Sequence, residues 1–182
     1  MRKIVIAALI ALLAPSGVSA QAVVGKPVYN PETKSYFELY SYPDPEKHGT
    51  HWGQHDQVAR SKVFNGVHGR LAVVPSKSVN DWLRKTFRPD QGTFIGLRYF
   101  CNYRKLAWSS GDELKKDAYT NWGRHWNTEG TSSRGIVNAE CLSFLPYLPV
   151  HYWPVQEGFI WNANGPQKYF MYSFIEYPTG KP

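Results

Sequence analysis

An ordered series of aromatic and glycine motifs over the second half of the chain constrains its fold more than any other feature. Phe94-Ile95-Gly96-Leu97, Leu106-Ala107-Trp108-Ser109-Ser110-Gly111, Tyr119-Thr120-Asn121-Trp122 and Trp161-Asn162 follow one another in that order. Trp and Phe on short strands bring large apolar area to a small core. Gly96 lets a second backbone approach closely, and Gly111 closes a tight turn. These residues read first as scaffold.

Two helices precede the series. On a helical wheel Trp52, His55, Ala59 and Val63 share a face, which predicts a helix over 52–64 ended by Gly66 and Gly69. Ser76 suits an N-cap, with Asn80 and Asp81 early and Arg84, Lys85 and Arg88 late. That order complements the helix dipole. Val79, Trp82, Leu83 and Phe87 form its buried stripe, and Pro89 marks its exit. Strands are expected at 36–42, 70–74, 93–99, 106–108, 136–145, 158–162 and 169–177. Helices followed by a run of strands is an α+β pattern. Gly123 to Gly135 and Pro146 to Glu157 read as two long loops. Loops of that length inside a compact domain are usually functional or disordered.

The N-terminus carries Arg2 and Lys3, an apolar run from Ile4 to Ala14, and the exit Val18-Ser19-Ala20. This is the pattern of a secretory signal, of bacterial type, cleaved before Gln21. The run is shorter than the roughly 18 residues needed to span a bilayer, and no later stretch reaches that length. Residues 1–20 are thus expected to be a signal peptide, 21–35 an arm and 36–178 one domain, in a protein secreted or periplasmic. Without Arg2 and Lys3, 19 of the 21 basic residues remain against 14 acids, a net charge of +5. This basic bias favours acidic partners in a general way. No dense Lys/Arg block marks a nucleic-acid groove. Two cysteines in an exported chain, Cys101 and Cys141, suggest one disulfide. Closing a span of about forty residues stabilises by about 4 kcal/mol in the loop-entropy model. The alternative, a reactive thiol, needs a thiolate-promoting neighbour.

Taken together, the motif series resembles the C-type-lectin-like domain. The strand at 36–42, the Trp52 helix, Gly69-Arg70-Leu71-Ala72 with the Ser76 helix, and Phe94-Ile95-Gly96-Leu97 match its opening half. Trp108-Ser109-Ser110-Gly111 is similar to its Trp-Ser-Asp-Gly turn, Tyr119-Thr120-Asn121-Trp122 to its Tyr-x-Asn-Trp, and Phe174-Ile175-Glu176-Tyr177 to its closing strand. The resemblance implies two helices flanking antiparallel sheets, with a long loop region that presents the ligand.

It also implies a calcium ion between the long loop and a late Trp-Asn-Asp strand, and here the chain departs. Calcium takes six to eight oxygens, several of them from carboxylates. The loop after Trp122 reads Gly123-Arg124-His125-Trp126-Asn127-Thr128-Glu129-Gly130, with no proline and only Glu129 acidic. Ala139 stands where a further Glu is usual, and Ala163 replaces the Asp after Trp161-Asn162. Cys141 matches the strand cysteine of the family, while Cys101 falls where the family normally has none. No cofactor or metal is therefore expected.

Candidate ligand-binding residues are Arg124, His125, Trp126, Asn127 and Glu129 of the long loop, with Trp153, Asn162 and Asn164. Trp and Arg are the residues that most often anchor partners. Trp126 packed inward to hold the loop is the bland alternative. In the second loop Tyr147, His151, Tyr152 and Trp153 sit among prolines, as a contact surface or as the cover of a sheet edge. His51 and His55 lie four apart, yet positions 52 and 53 are Trp and Gly, so no His-Glu-x-x-His metal motif exists. No nucleophile elbow or phosphate loop is present. The sequence thus points to a non-enzymatic, calcium-independent binding module for a protein or a glycan, an acidic or sulfated glycan included. A secreted enzyme on the same scaffold and a structural subunit of an envelope assembly are the rival readings.

Overall fold

The computed structural model describes residues 23–44, 46, 48–123, 146–153, 159–163 and 168–182. Helix α1 spans Trp52–Ser61 and is entered at His51, whose ring accepts the Gln54 N–H. Its buried residues Trp52, His55 and Ala59 recur at helical spacing. The helix stops earlier than predicted. Strand β4 (Val63–Phe64) folds back on β5 (Val67–His68), with Asn65 and Gly66 both at positive φ between them. An Asn-Gly pair is the strongest two-residue hairpin signal, and here it overrides the helical period.

Helix α2 spans Lys77–Phe87, capped by Ser76 Oγ, which accepts the Val79 N–H at 3.2 Å. Arg84 and Lys85 occupy the last turn, and Arg88 ends it in the left-handed region. Val79, Leu83 and Phe87 are buried as expected, and Trp82 packs edge-on against Phe37 and Phe87. Asn80 is buried with them, on the side turned to the sheet.

The remaining strands are β1 (Val28–Asn30), β2 (Ser35–Ser41), β3 (Thr50–His51), β6 (Arg70–Leu71), β7 (Thr93–Phe100), β8 (Lys105–Trp108), β9 (Tyr147–Trp153), β10 (Ile160–Ala163), β11 (Tyr169–Phe170) and β12 (Tyr172–Tyr177). The main sheet runs β1-β2-β12-β7-β9-β10, with β6 beside β12 and β8 beside β7. Its ladders are antiparallel except for β12 with β7, which is parallel, so the sheet is mixed. Part of the expected arm is itself a strand, since β1 pairs with β2 from Val28↔Phe37 to Asn30↔Ser35. The expected closing strand divides at Met171: β11 leaves to pair with β3, and β12 stays in the main sheet.

One expectation fails outright. Residues 147–153, read as part of a long loop, form β9, a buried strand between β7 and β10. The three prolines around it hid the strand. Pro149 is tolerated because β7 bulges next to it, between Phe94 and Arg98. The neighbouring expectation, a strand over 136–145, lies outside the described residues.

The bulge in β7 uses the Ile95-Gly96-Leu97 motif. Ile95 O accepts the Trp52 Nε1–H at 2.8 Å, Gly96 N–H donates to Ala72 O, and Ser109 N–H donates to Gly96 O. A Cβ on residue 96 would lie 2.4 Å from Leu71 O and 2.6 Å from Ser109 Oγ, so only glycine fits. Two buried carboxylates fasten the opposite part of the sheet. Glu176 accepts from Arg70 Nε at 3.0 Å, Ser35 Oγ at 2.9 Å and Val73 N at 3.0 Å. Glu38 accepts from Lys62 Nζ at 2.6 Å and Tyr177 Oη at 2.8 Å.

Candidate functional site

Strands β9 and β10 form the platform of the site. In their register Trp161 faces Tyr152 and Ala163 faces Val150, while Ile160 faces Trp153 and Asn162 faces His151. Alternation puts Trp161, Tyr152, Ala163 and Val150 on the core side and Trp153, His151, Ile160 and Asn162 on the other. Asn80 of α2 locks the core side. Its Oδ1 accepts the Tyr152 hydroxyl at 2.8 Å and the Trp161 Nε1–H at 3.2 Å. Three aromatic rings, Trp108, Tyr119 and Trp122, meet Trp161 edge-on with centroids 5.6–5.9 Å away. Burial in this cluster pushes the Tyr119 hydroxyl up to about 12 and the Tyr152 hydroxyl well above the ordinary phenol range.

The Tyr-x-Asn-Trp motif docks on the far edge of β10. Trp161 N–H donates to Asn121 O at 2.6 Å, Gly123 N–H donates to Trp161 O at 3.0 Å, and Asn121 Nδ2 donates to Phe159 O at 2.8 Å. Trp122 and Trp161 form a parallel bridge. Phe159 sits at φ 65°, a costly region for an aromatic residue, and stacks on Tyr152 with centroids 3.6 Å apart. Gly123 is therefore fixed beside Asn162, and Pro146, the next described residue, accepts the Cys101 N–H at 3.3 Å.

Of the predicted ligand residues, the structure brings Trp153 and Asn162 onto one face. Trp153 is 44% exposed and lies against His151, with ring centroids 6.2 Å apart. Asn162 is half-buried, and its Oδ1 accepts the Ala163 N–H at 2.9 Å. Arg124, His125, Trp126, Asn127, Glu129 and Asn164 lie outside the described residues, as does Cys141. Cys101 is half-buried in the turn after β7, and no free cysteine occurs among the described residues. Tyr147, His151 and Tyr152, expected in a contact loop, are strand residues, and His151 and Tyr152 are fully covered. Burial lowers His151 to about 3. The buried position of Asn80 and its hydrogen bonds were missed, and no signal separates it from an ordinary first-turn asparagine.

The histidine pair is structural. His55 is buried, its Nδ1 2.9 Å from Ser173 Oγ and its Nε2 3.0 Å from Phe170 O, and burial lowers it to about 4. His51 serves as the cap of α1, so neither ring is set up as half of a metal site.

The lectin C-type domain profile matches residues 59–144, a little under half of the chain. The fold extends the likeness much further. A C-type lectin, CEL-I from Cucumaria echinata, superposes with a TM-score of 0.54 at 16% identity, over 78% of this chain and 89% of its own. The cow carbohydrate-recognition domain of CD23, crystallised in the presence of an oligosaccharide, gives 0.53 at 17% identity, over 86% and 96%. A calcium-independent C-type lectin, SPL-2 from Saxidomus purpuratus, gives 0.51 at 14% identity, over 80% and 87%. This chain has the C-type-lectin-like fold. No curated protein matches the sequence.

In this C-type-lectin-like fold β10 stands where the resemblance places the Trp-Asn-Asp strand. Of its residues, only Asn162 offers a side-chain oxygen, already bonded to Ala163 N–H, and Ala163 is a buried methyl. Among the described residues no three His, Cys, Asp or Glu side chains are grouped to hold a metal ion. The described donors do not fit a calcium ion, which needs several converging oxygens.

Proposed function

We propose that this protein is an exported, non-enzymatic and calcium-independent binding module whose long-loop face recognises a protein or a glycan. The observation that carries the reading is the β9–β10 platform: a rigid lectin-type base that holds Asn162 beside the start of the long loop but supplies an alanine methyl at the next strand position. Trp153 and Trp126 would provide aromatic contact, and Arg124, His125, Asn127, Glu129, Asn162 and Asn164 polar or ionic contact. Loss of a metal grip on sugar diols favours a protein partner over a neutral sugar. The calcium-independent lectin among the structural relatives supports recognition without the ion. Signal cleavage near Ala20 and a Cys101–Cys141 bridge complete the proposal.

The test is a screen of the mature protein against glycan and protein arrays, followed by titration of the best ligand. Trp126→Ala combined with Arg124→Ala should weaken that binding by about tenfold or more. Unchanged affinity in the double variant overturns the loop assignment.

A further inference from the structure

A groove of about 330 Å³ lies along the β7–β8 hairpin, apart from the β9–β10 platform. It is lined by Arg98, Phe100, Tyr103, Lys105, Trp108 and Glu113, among others. Its volume is at the lower end of the roughly 300–1,000 Å³ of small-molecule sites, enough for one ring-sized unit.

Arg98 is the unusual member. Its guanidinium lies over the rings of Trp52 at 4.3 Å, Phe100 at 4.8 Å and Tyr147 at 5.2 Å. Its Nε is buried and has no hydrogen-bond partner among the described residues. Nor is it among the ion pairs formed by those residues: Asp56, the acid whose charge it feels, pairs through Oδ2 with Arg60 at 2.9 Å and leaves its buried Oδ1 without a hydrogen bond among the described residues. An unspent buried donor costs about 1–3 kcal/mol, so this cage holds a cation whose partner is not supplied by the neighbouring strands.

We infer that this groove is a second ligand site, which takes the hexuronic acid unit of an acidic glycan with its carboxylate on Arg98. Phe100 and Tyr103 present aromatic surface for the C–H face of the sugar ring. Lys105 and Glu113, joined at 2.9 Å on the rim, supply a donor and an acceptor for its hydroxyls. An acidic peptide fits less well. The outer edge of β8 is already closed by residues 112–114, through the Ala107↔Glu113 bridge and the Leu114 N–H to Leu106 O bond at 2.8 Å, so strand addition is blocked.

Calorimetric titration of the protein with a hyaluronan tetrasaccharide, against neutral cellotetraose and a tetra-glutamate peptide, tests the assignment. The uronate sugar should bind at least about tenfold tighter than either, the size of one charge-assisted hydrogen bond. Arg98→Met should remove about tenfold and Tyr103→Ala several-fold. Tyr103 is 74% exposed, so its replacement leaves the fold intact and keeps the test valid if the Arg98 variant is unstable. Binding of the loop-face ligand should be unchanged in both variants, which separates failure here from failure there. No uronate binding, uronate binding indifferent to Arg98 and Tyr103, or preference for the peptide each overturns the proposal.

Discussion

Replacing Asn80 by alanine should unlock the platform from the inside. Its Oδ1 is the acceptor for both Tyr152 Oη at 2.8 Å and Trp161 Nε1 at 3.2 Å, and all three residues are buried. Asn80→Ala strands two buried donors, each costing about 1–3 kcal/mol, so the loss should be between about 2 and 6 kcal/mol. For a domain of this size that is a fall in Tm of about 5–15 °C. Tyr152→Phe should cost about 1 kcal/mol in the native background, where it removes a made bond. In the Asn80→Ala background it should be neutral or stabilising, because it removes a donor already stranded. Urea unfolding of the four proteins, followed by circular dichroism, gives the coupling, expected at about 1–3 kcal/mol. Equal costs of Tyr152→Phe in both backgrounds would refute the shared-acceptor account.

Gly96→Ala should destabilise by about 3 kcal/mol, since its Cβ meets two carbonyl oxygens and a hydroxyl within 3 Å and the bulge in β7 cannot relax around it; a midpoint within experimental error of wild type in urea contradicts this. Acid should weaken the fold between about pH 6.5 and pH 4, because His55 and His151 are held neutral by burial, at about 4 and about 3, and the unfolded chain binds the protons they refuse. At roughly 1.4 kcal/mol per pH unit the His55 contribution is about 3 kcal/mol by pH 4; stability is flat above about pH 7.5, and His55→Gln should shallow the acid slope. A profile of urea midpoints level from pH 7 down to about 4.5 rules this out. Glu176→Ala, which strips Arg70, Ser35 and Val73 of their shared acceptor, should cost about 3 kcal/mol, with much of it regained in Arg70→Met/Glu176→Met; no recovery in the double variant argues against an ion-pair origin.

The parts of the fold legible in the sequence were those where local chemistry and tertiary demand agree. Ser76 caps α2 and the stripe Val79, Leu83, Phe87 faces inward because helix period and core direction coincide there. Gly96 announced a close approach, and Leu71, Ala72 and Ser109 supply it. Strand β9 was hidden because prolines normally exclude a central strand, and the bulge of β7, distant in sequence, makes room for Pro149. The hairpin at Asn65-Gly66 was legible in its turn residues but outweighed by the apolar spacing of Val63 with α1. At the site, Trp161-Asn162 was identifiable as a motif, and Trp153 reached its face through strand register, which single-residue reading does not carry. The partners of Asn80 and the unspent Nε of Arg98 depend wholly on contacts between elements distant in sequence.

Ligand recognition without calcium on a lectin scaffold is decided by one titration: the best ligand from the screen, measured by calorimetry in calcium and again in excess chelator. Identical affinity in the two buffers, with no heat when calcium alone is injected, is the predicted result. A stoichiometric calcium isotherm, or binding abolished by chelator, would contradict it.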